Sequence, residues 1–271
     1  MQPKKTVLYR DERNDDFASG ARVRPIRPVT AEYHFAPKNL FWRFVSFFLY
    51  RIIATPFALL YCRFVHGIRI KNRRAIRKLK GGFFLYGNHT QSAFDAFDPT
   101  LVAFPRRVHI VTGNNAVAIP AIRRLVPMLG GIPLATDLGG AKCQLEALQT
   151  RIRQGAAVAI YPEAHIWPYC NFIRDFPAAS FGYPVRFGVP AVSFTATYRK
   201  SKFFRRPRIT VYVGEPVYPD PSRPALAEKK RIRDEIYRQM TDACRKSGSV
   251  AYIEYLPAPR DTGDMPETGR N

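Results

Sequence analysis

Apolar positions along the chain fall into three patterns. Short unbroken runs at Gly82–Tyr86 (GFFLY), Val108–Thr112 (VHIVT), Ala156–Tyr161 (AAVAIY), Ala191–Thr197 and Ile209–Val213 predict buried strands. Longer stretches with helical spacing predict helices. Ala116–Met128 is one, with Pro120 near its start; Gly130-Gly131 ends it and leads into a short strand, Ile132–Leu134. Ala141–Arg153 places Ala141, Leu145, Leu148 and Ile152 on one face and stops at Gly155. Pro224–Lys246 is charged, with Ile232, Ile236 and Met240 on one face. Strands separated by helices predict a sheet with helices on its faces.

The third pattern is Leu40–Tyr61, LFWRFVSFFLYRIIATPFALLY, dense in aromatic and aliphatic residues. A spanning helix wants ~20 apolar residues with few charges. Arg43 and Arg51 interrupt this one, and the longest uncharged stretch is Ile52–Cys62. The expectation is an interfacial or re-entrant helical pair, kinked at Pro56, with its aromatic face in lipid and its arginines at the headgroups. A buried core helix is the alternative. The chain then divides into an irregular basic arm (1–39), hydrophobic interfacial helices (40–62), an α/β domain (63–255) and a disordered tail (256–271).

The 271 residues are enough for one sizeable core or two small ones, and 46 % hydrophobic with 24 % charged residues excludes wholesale disorder and a collagen-like chain. Cys62, Cys143, Cys170 and Cys244 are too scattered for a disulfide framework or a C-x-x-C metal site and read as reduced thiols. Residues 1–20 carry Asp11, Glu12, Asp15 and Asp16 and no apolar run, so no cleavable signal peptide is read there.

Charge changes the picture more. Lys and Arg number 43 against 21 Asp and Glu, a net +22, which calls for an anionic partner. Eight cations and no acid lie between Arg63 and Lys80, directly after the apolar segment; six more lie between Arg199 and Arg208. Each cation near an anionic leaflet contributes ~1 kcal/mol. The pairing of apolar segment and basic run favours an anionic membrane surface over nucleic acid, for which no reader motif is present.

Two predicted strand ends carry chemistry, where sites form in such sheets. The first strand runs into Gly87-Asn88-His89-Thr90-Gln91-Ser92-Ala93-Phe94-Asp95; the strand at Ala156–Tyr161 runs into Pro162-Glu163-Ala164-His165-Ile166-Trp167-Pro168. A histidine can accept a proton at neutral pH when a carboxylate fixes its tautomer. On an ideal helix Asp95 would sit about 240° from His89, and the rival Asp98 about 180° away, so pairing needs a turn or an irregular helix start. The residues alone leave His89 open between a strand-end histidine bonded to backbone and a general base. G-x-S-x-G, H-E-x-x-H and a Walker A loop are absent, and Ser92 reads as a turn serine. A His-Asp pair without a nucleophile points to activation of a substrate hydroxyl.

Asn88-His89 followed by Asp95, then Tyr161-Pro162-Glu163, then Val189-Pro190-Ala191-Val192 resemble, in order, the motif blocks of glycerolipid acyltransferases, most of all the bacterial 1-acyl-glycerol-3-phosphate (lysophosphatidate) acyltransferase family. The resemblance spans residues 40–245 and includes Gly130-Gly131-Ile132-Pro133. It implies a mixed, largely parallel α/β sheet flanked by helices, with an N-terminal membrane-contacting helical pair. It implies His89 as the base on the free hydroxyl of a lysophospholipid and Asp95 as its orienting partner. The hydroxyl oxygen then attacks the thioester of acyl-CoA or acyl carrier protein directly, with no metal and no further cofactor. Asn88 and Glu163 would shape the acceptor site, and Val189 and Pro190 the acyl-donor side. The implied setting is the cytoplasmic face of the cell membrane, peripheral or monotopic.

This chain departs from the family in two places. Five residues separate His89 from Asp95 where four are usual, and the third block, usually Phe-Pro-Glu-Gly-Thr-Arg, reads Tyr161-Pro162-Glu163-Ala164-His165-Ile166. Ile166 stands where the family arginine meets substrate phosphate, leaving Arg174, Lys200, Arg123-Arg124 or His165 to supply that contact. A non-catalytic lipid-binding protein keeping the fold is the second expectation.

Overall fold

The computed structural model describes residues 3–18, 27–35, 37, 39–91, 95–118, 120, 122–201 and 206–259. Its centre is β3 (Phe83–Gly87), whose residues are all buried. Alternate side chains of β3 feed two cores, as the strand period of two requires. Phe83 and Leu85 pack with Ala58, Cys62 and Val102 on one face. Phe84 and Tyr86 pack on the other with Leu148, Ile152, Ile232, Ile236 and Met240.

Around β3 the sheet also contains β2 (Arg69–Lys71), β4 (Val108–Thr112), β5 (Gly131–Pro133), β6 (Ala157–Ile160), β7 (Ala191–Arg199) and β8 (Arg208–Val213). The order is β2-β8-β7-β3-β6-β4-β5, parallel at every junction except the antiparallel β7–β8 pair. This is the mixed, largely parallel α/β sheet expected. Helix Leu138–Arg153 covers one face and begins three residues before Ala141 because Asp137 caps it, accepting from Gly140 N at 2.6 Å. Helix Ala225–Ser247 packs on β7 and stops at Gly248, whose φ of 57° suits glycine.

Three expectations change. The helix over Ala116–Met128 is absent from the described residues; a 3-10 turn, Asn114–Val117, and a single turn, Leu125–Met128, stand there instead. Pro120 and Pro127 remove amide donors that a continuous helix would need. The arm is not irregular throughout: β1 (Lys5–Tyr9) pairs in parallel with β9 (Ile253–Pro257), so Leu256 and Pro257 belong to a strand and not to a tail. This two-stranded sheet packs Tyr9 and Tyr255 on the buried Trp167.

The third change concerns the apolar segment. It is one continuous helix, Leu40–Phe64, not a pair, and is long and apolar enough to cross a membrane by length and composition. A π-helical stretch, Leu49–Ala54, precedes Pro56. There Thr55 donates both its N–H and its hydroxyl to Tyr50 O, the latter at 2.7 Å. This i→i−5 turn shifts the hydrogen-bond register just before Pro56, which has no amide donor of its own, and the helix continues through it to Phe64. The helix is inside-out. Its buried face is Ser46, Tyr50, Thr55, Ala58 and Cys62, small or polar for the most part. Its exposed face carries Phe41 (75 %), Phe44 (67 %), Phe48 (47 %), Ile52 (53 %) and Leu60 (59 %). A soluble helix buries its apolar stripe; this one presents it outward, a contiguous patch of the kind that marks an interaction surface.

Candidate active site

β3 ends at Gly87, which must be glycine because a Cβ there would lie 2.3 Å from the Phe194 ring beside it. Asn88 follows and completes the sheet with its side chain. Its Nδ2 donates to Ala196 O at 3.0 Å and its Oδ1 accepts from Ala196 N at 2.8 Å. Both amide ends are thereby occupied by β7, which makes Asn88 a brace beneath the site rather than a ligand group.

His89 leaves the strand in coil, and the chain turns back through Gln91, whose carbonyl accepts from Asp95 N at 3.2 Å. The turn resolves the helical-wheel objection: the two residues never share a helix. His89 Nδ1 lies 2.6 Å from Asp95 Oδ2, and the same oxygen accepts from Gln91 N at 2.9 Å. A carboxylate already accepting a backbone N–H is an acceptor for the imidazole too, so Nδ1 carries the proton and Nε2 presents its lone pair. No partner for Nε2 is present among the described residues. The histidine side chain is 19 % exposed and the aspartate 4 %, the arrangement of a reachable base on a covered orienting acid. Ser92, Ala93 and Phe94 lie outside the described residues.

Electrostatics around the pair are set by burial. Burial pushes the Asp95 carboxyl up, opposed by its bond to His89 and by the Gln91 and Thr90 amides. Asp98, the rival, is fully buried and its Oδ1 has no partner. Burial first, and then the neighbouring Asp95, raise its carboxyl well above the ordinary value, which favours its protonated form over a second buried negative charge beside Asp95. The nearby Cys62 thiol is pushed up to about 12, also by burial, which disqualifies it as a nucleophile at neutral pH. Among the described residues no cluster of His, Cys, Asp and Glu could hold a metal ion.

Sequence reasoning missed what supports the histidine. Tyr161 stacks on the His89 ring at 4.6 Å between centroids, 18° from coplanar, and its hydroxyl donates to Asp95 O at 2.6 Å. The loop after β6 is tied to the His89 segment by backbone, Trp167 N to His89 O and Tyr169 N to Thr90 O, both at 3.0 Å. Tyr198 donates to Thr90 Oγ1 and accepts from Gln91 Nε2, both at 2.7 Å. The one available signal was that Tyr161 closes the β6 run, at the same sheet edge as His89.

Of the remaining candidates only Glu163 reaches the histidine, and it does so through the backbone. Glu163 is buried beneath it. Its Oε2 accepts from His89 N at 3.0 Å and from Arg174 Nη2 at 3.0 Å, and its Oε1 accepts from Arg174 N at 3.1 Å. Burial raises the Glu163 carboxyl, opposed chiefly by the Arg174 guanidinium. Arg174 is 0 % exposed; it lies over the Trp167 ring and also donates to His165 O, so it offers no charge to a substrate phosphate. His165 is part-exposed, 3.7 Å from Asp16 of the N-terminal arm. Val189 and Pro190 precede β7, and Pro190 O accepts from Phe84 N at the start of β3. That places them at the opposite sheet edge, roughly 17 Å from His89 along β3. Lys200, Arg123 and Arg124 are exposed.

A histidine with an open Nε2 beside a covered carboxylate, at the carboxyl edge of a mixed sheet, has the chemistry needed to accept a proton from a hydroxyl group. Residues 67–195, from just before β2 into β7, match the family model described as Acyltransferase, and His89, Asp95 and Glu163 lie inside the matched segment. Among solved structures, the crystal structure of the 1-acyl-sn-glycerophosphate (LPA) acyltransferase PlsC from Thermotoga maritima is similar at 14 % identity and a TM-score of 0.48, over 79 % of this chain and 97 % of that one. No curated protein matches the sequence.

Proposed function

We propose that the protein is a membrane-associated O-acyltransferase that moves a fatty acyl group from acyl-CoA or acyl carrier protein to the free hydroxyl of a lysophospholipid, with 1-acyl-glycerol-3-phosphate as the first acceptor to try. The observation that carries this is His89: Nδ1 held by a covered Asp95, Nε2 unpartnered, and an outward aromatic helix packed on the same core. Nε2 takes the proton of the acceptor hydroxyl as its oxygen attacks the thioester carbonyl. The tetrahedral intermediate collapses with cleavage of the C–S bond, and the departing thiolate receives the proton from the imidazolium. The ester and the free thiol are the products, so no protein nucleophile is needed. Asp95 stabilises the imidazolium that forms.

The family-model match over residues 67–195 and the apolar helix support this reading, and the cytoplasmic face of the membrane, where acyl thioesters are found, is the setting it implies. The second reading, a lipid-binding protein without turnover, draws on Ile166 and on the internal use of Arg174, which together leave the third-block phosphate contact unfilled. The deciding experiment incubates purified protein with a panel of lysolipids and both donor types and follows release of free thiol. Turnover by the wild type that His89→Ala abolishes supports acyl transfer. Binding of lysolipid with no thiol release above the His89→Ala background, for every donor and acceptor, overturns it in favour of the second reading.

A further inference from the structure

A cluster of arginines without an acidic partner lies far from His89. A cleft of about 650 Å³ opens between the start of the apolar helix and the amino ends of β4 and β6, lined by Arg43, Arg51, Arg106, Arg107, Arg151 and His109 and by no acidic residue. Ala156, in its floor, precedes the β6 residue that pairs with Phe83. The cleft is therefore roughly 20 Å from His89 along the strands, at the other sheet edge.

The five arginines differ in what the protein already asks of them. Arg106 is committed to backbone, donating to the carbonyls of Gly81, Gly155 and Leu79. Arg107 donates through Nη2 to Ser46 Oγ at 2.7 Å and Met128 O at 2.9 Å and lies over the Tyr50 ring. Arg51 holds Pro105 O at 2.6 Å, and Arg151 holds Gln154 Oε1 at 3.2 Å. Arg43 is exposed at the rim. Each of Arg51, Arg107 and Arg151 keeps further N–H donors, and among the described residues none of the five is in an ion pair. The Nε atoms of Arg107 and Arg151 are buried without an acceptor. Burial, and then neighbouring arginines, pull both guanidiniums below their ordinary range. Clustered, half-desolvated guanidiniums with no counter-charge are the chemistry that a phosphate group satisfies, through bidentate donors.

The second feature is the wall. Leu40, Trp42, Phe44 and Phe47 line the same cleft, and Leu40, Phe44 and Phe47 are 76 %, 67 % and 54 % exposed as part of the outward apolar face. A free phosphate would use the arginines alone; a ligand with phosphate and acyl chains uses both. We propose that this cleft is a headgroup site for an anionic phospholipid, distinct from the acceptor site at His89, which seats the amino end of the helix in the membrane. This rests on the membrane association proposed above and goes beyond it in naming a discrete phosphate site.

The test uses the full-length protein in flotation with phosphatidylcholine vesicles, with and without phosphatidate at about one part in ten. Three variants accompany the wild type: Arg43→Gln, which alters only an exposed side chain; Arg43→Gln with Arg151→Gln; and Lys230→Gln with Lys246→Gln, an equal charge loss on exposed positions of the C-terminal helix. The wild type is expected to prefer phosphatidate vesicles. Arg43→Gln should weaken that preference, the paired arginine change should cut it by about tenfold or more, and the lysine control should stay within about twofold. Equal losses in the arginine and lysine pairs would mean diffuse attraction and overturn the site. So would saturable binding of inorganic phosphate, lost in the arginine variants, without any vesicle preference. Wild type that floats equally with both vesicles sinks this inference alone; wild type that floats with neither sinks the membrane reading as well.

Discussion

Glu163 and His89 meet through the backbone: Glu163 Oε2 accepts the His89 N–H at 3.0 Å. The carboxylate that the motif order assigns to substrate therefore fixes the base from below. It does so only while Arg174 balances it, and both side chains are 1 % exposed. Glu163→Gln leaves a buried guanidinium without its counter-ion and is expected to cost about 3–5 kcal/mol. Replacing both residues, Glu163→Leu with Arg174→Met, should recover part of that loss. Urea denaturation of the three proteins checks it, and an unchanged midpoint for the single variant would show that the pair does not hold the loop.

Asp95→Asn keeps shape but removes the charge that selects the Nδ1–H tautomer of His89. A loss of roughly 10²–10⁴ in kcat is expected, with KM little altered, because the aspartate acts through the histidine. Stability should move far less than in Glu163→Gln. Steady-state thiol release beside thermal denaturation separates the two effects.

Asp98 makes a pH-dependent contribution of definite sign. Its folded carboxyl lies well above the ordinary 3.8, so the native state holds a proton that the unfolded chain releases. Stability then falls as pH rises from the ordinary value towards the raised one. Asp98→Asn cannot titrate and should be more stable than wild type at neutral pH, the advantage shrinking as pH falls towards 3.8. Denaturation midpoints of both proteins across that range read the difference directly; a gap that widens on acidification would contradict the buried neutral carboxyl.

Ala164 sits at φ 62°, a left-handed conformation that costs an alanine about 1 kcal/mol or more. Glycine avoids that strain but loses about 0.5–1 kcal/mol through unfolded-state entropy. Ala164→Gly is thus expected to be neutral or mildly stabilising, where Ala→Gly at an ordinary helix position destabilises. A clear drop in melting temperature would mean that the methyl group makes a packing contribution.

The outward face of helix Leu40–Phe64 separates membrane affinity from stability. Phe44→Ser with Phe48→Ser alters exposed side chains only, so unfolding free energy should stay within about 1 kcal/mol. Vesicle binding should fall by an order of magnitude or more, since each buried aromatic contributes about 1.5–3 kcal/mol. Equal flotation of variant and wild type would remove the helix as the membrane contact.

What the sequence determined by itself is whatever rests on local pattern. The unbroken apolar run at β3 announced a strand buried on both faces, and the alternation of runs with 3.6-period stretches announced a sheet between helices. The charge excess and the aromatic density of 40–61 pointed to an anionic amphiphilic surface. Asn88, His89 and Glu163 were legible as chemistry because they follow strand ends. Tertiary structure decided the rest. Whether Asp95 reaches His89 depended on a turn that no helical wheel describes. Whether Arg174 and Glu163 face a ligand or each other depended on the Trp167 loop being held by β1 and β9, which pair across 248 residues from Lys5 to Ile253. Val189 and Pro190 follow the other motifs in order yet lie at the far edge, because β7 runs parallel to β3 and begins where β3 begins. The arginines of the cleft come from three separate segments and form no motif at all. Local periodicity records which face of an element is buried; it carries no information on which distant element does the burying, and that is what fixes a side chain's partner and its charge.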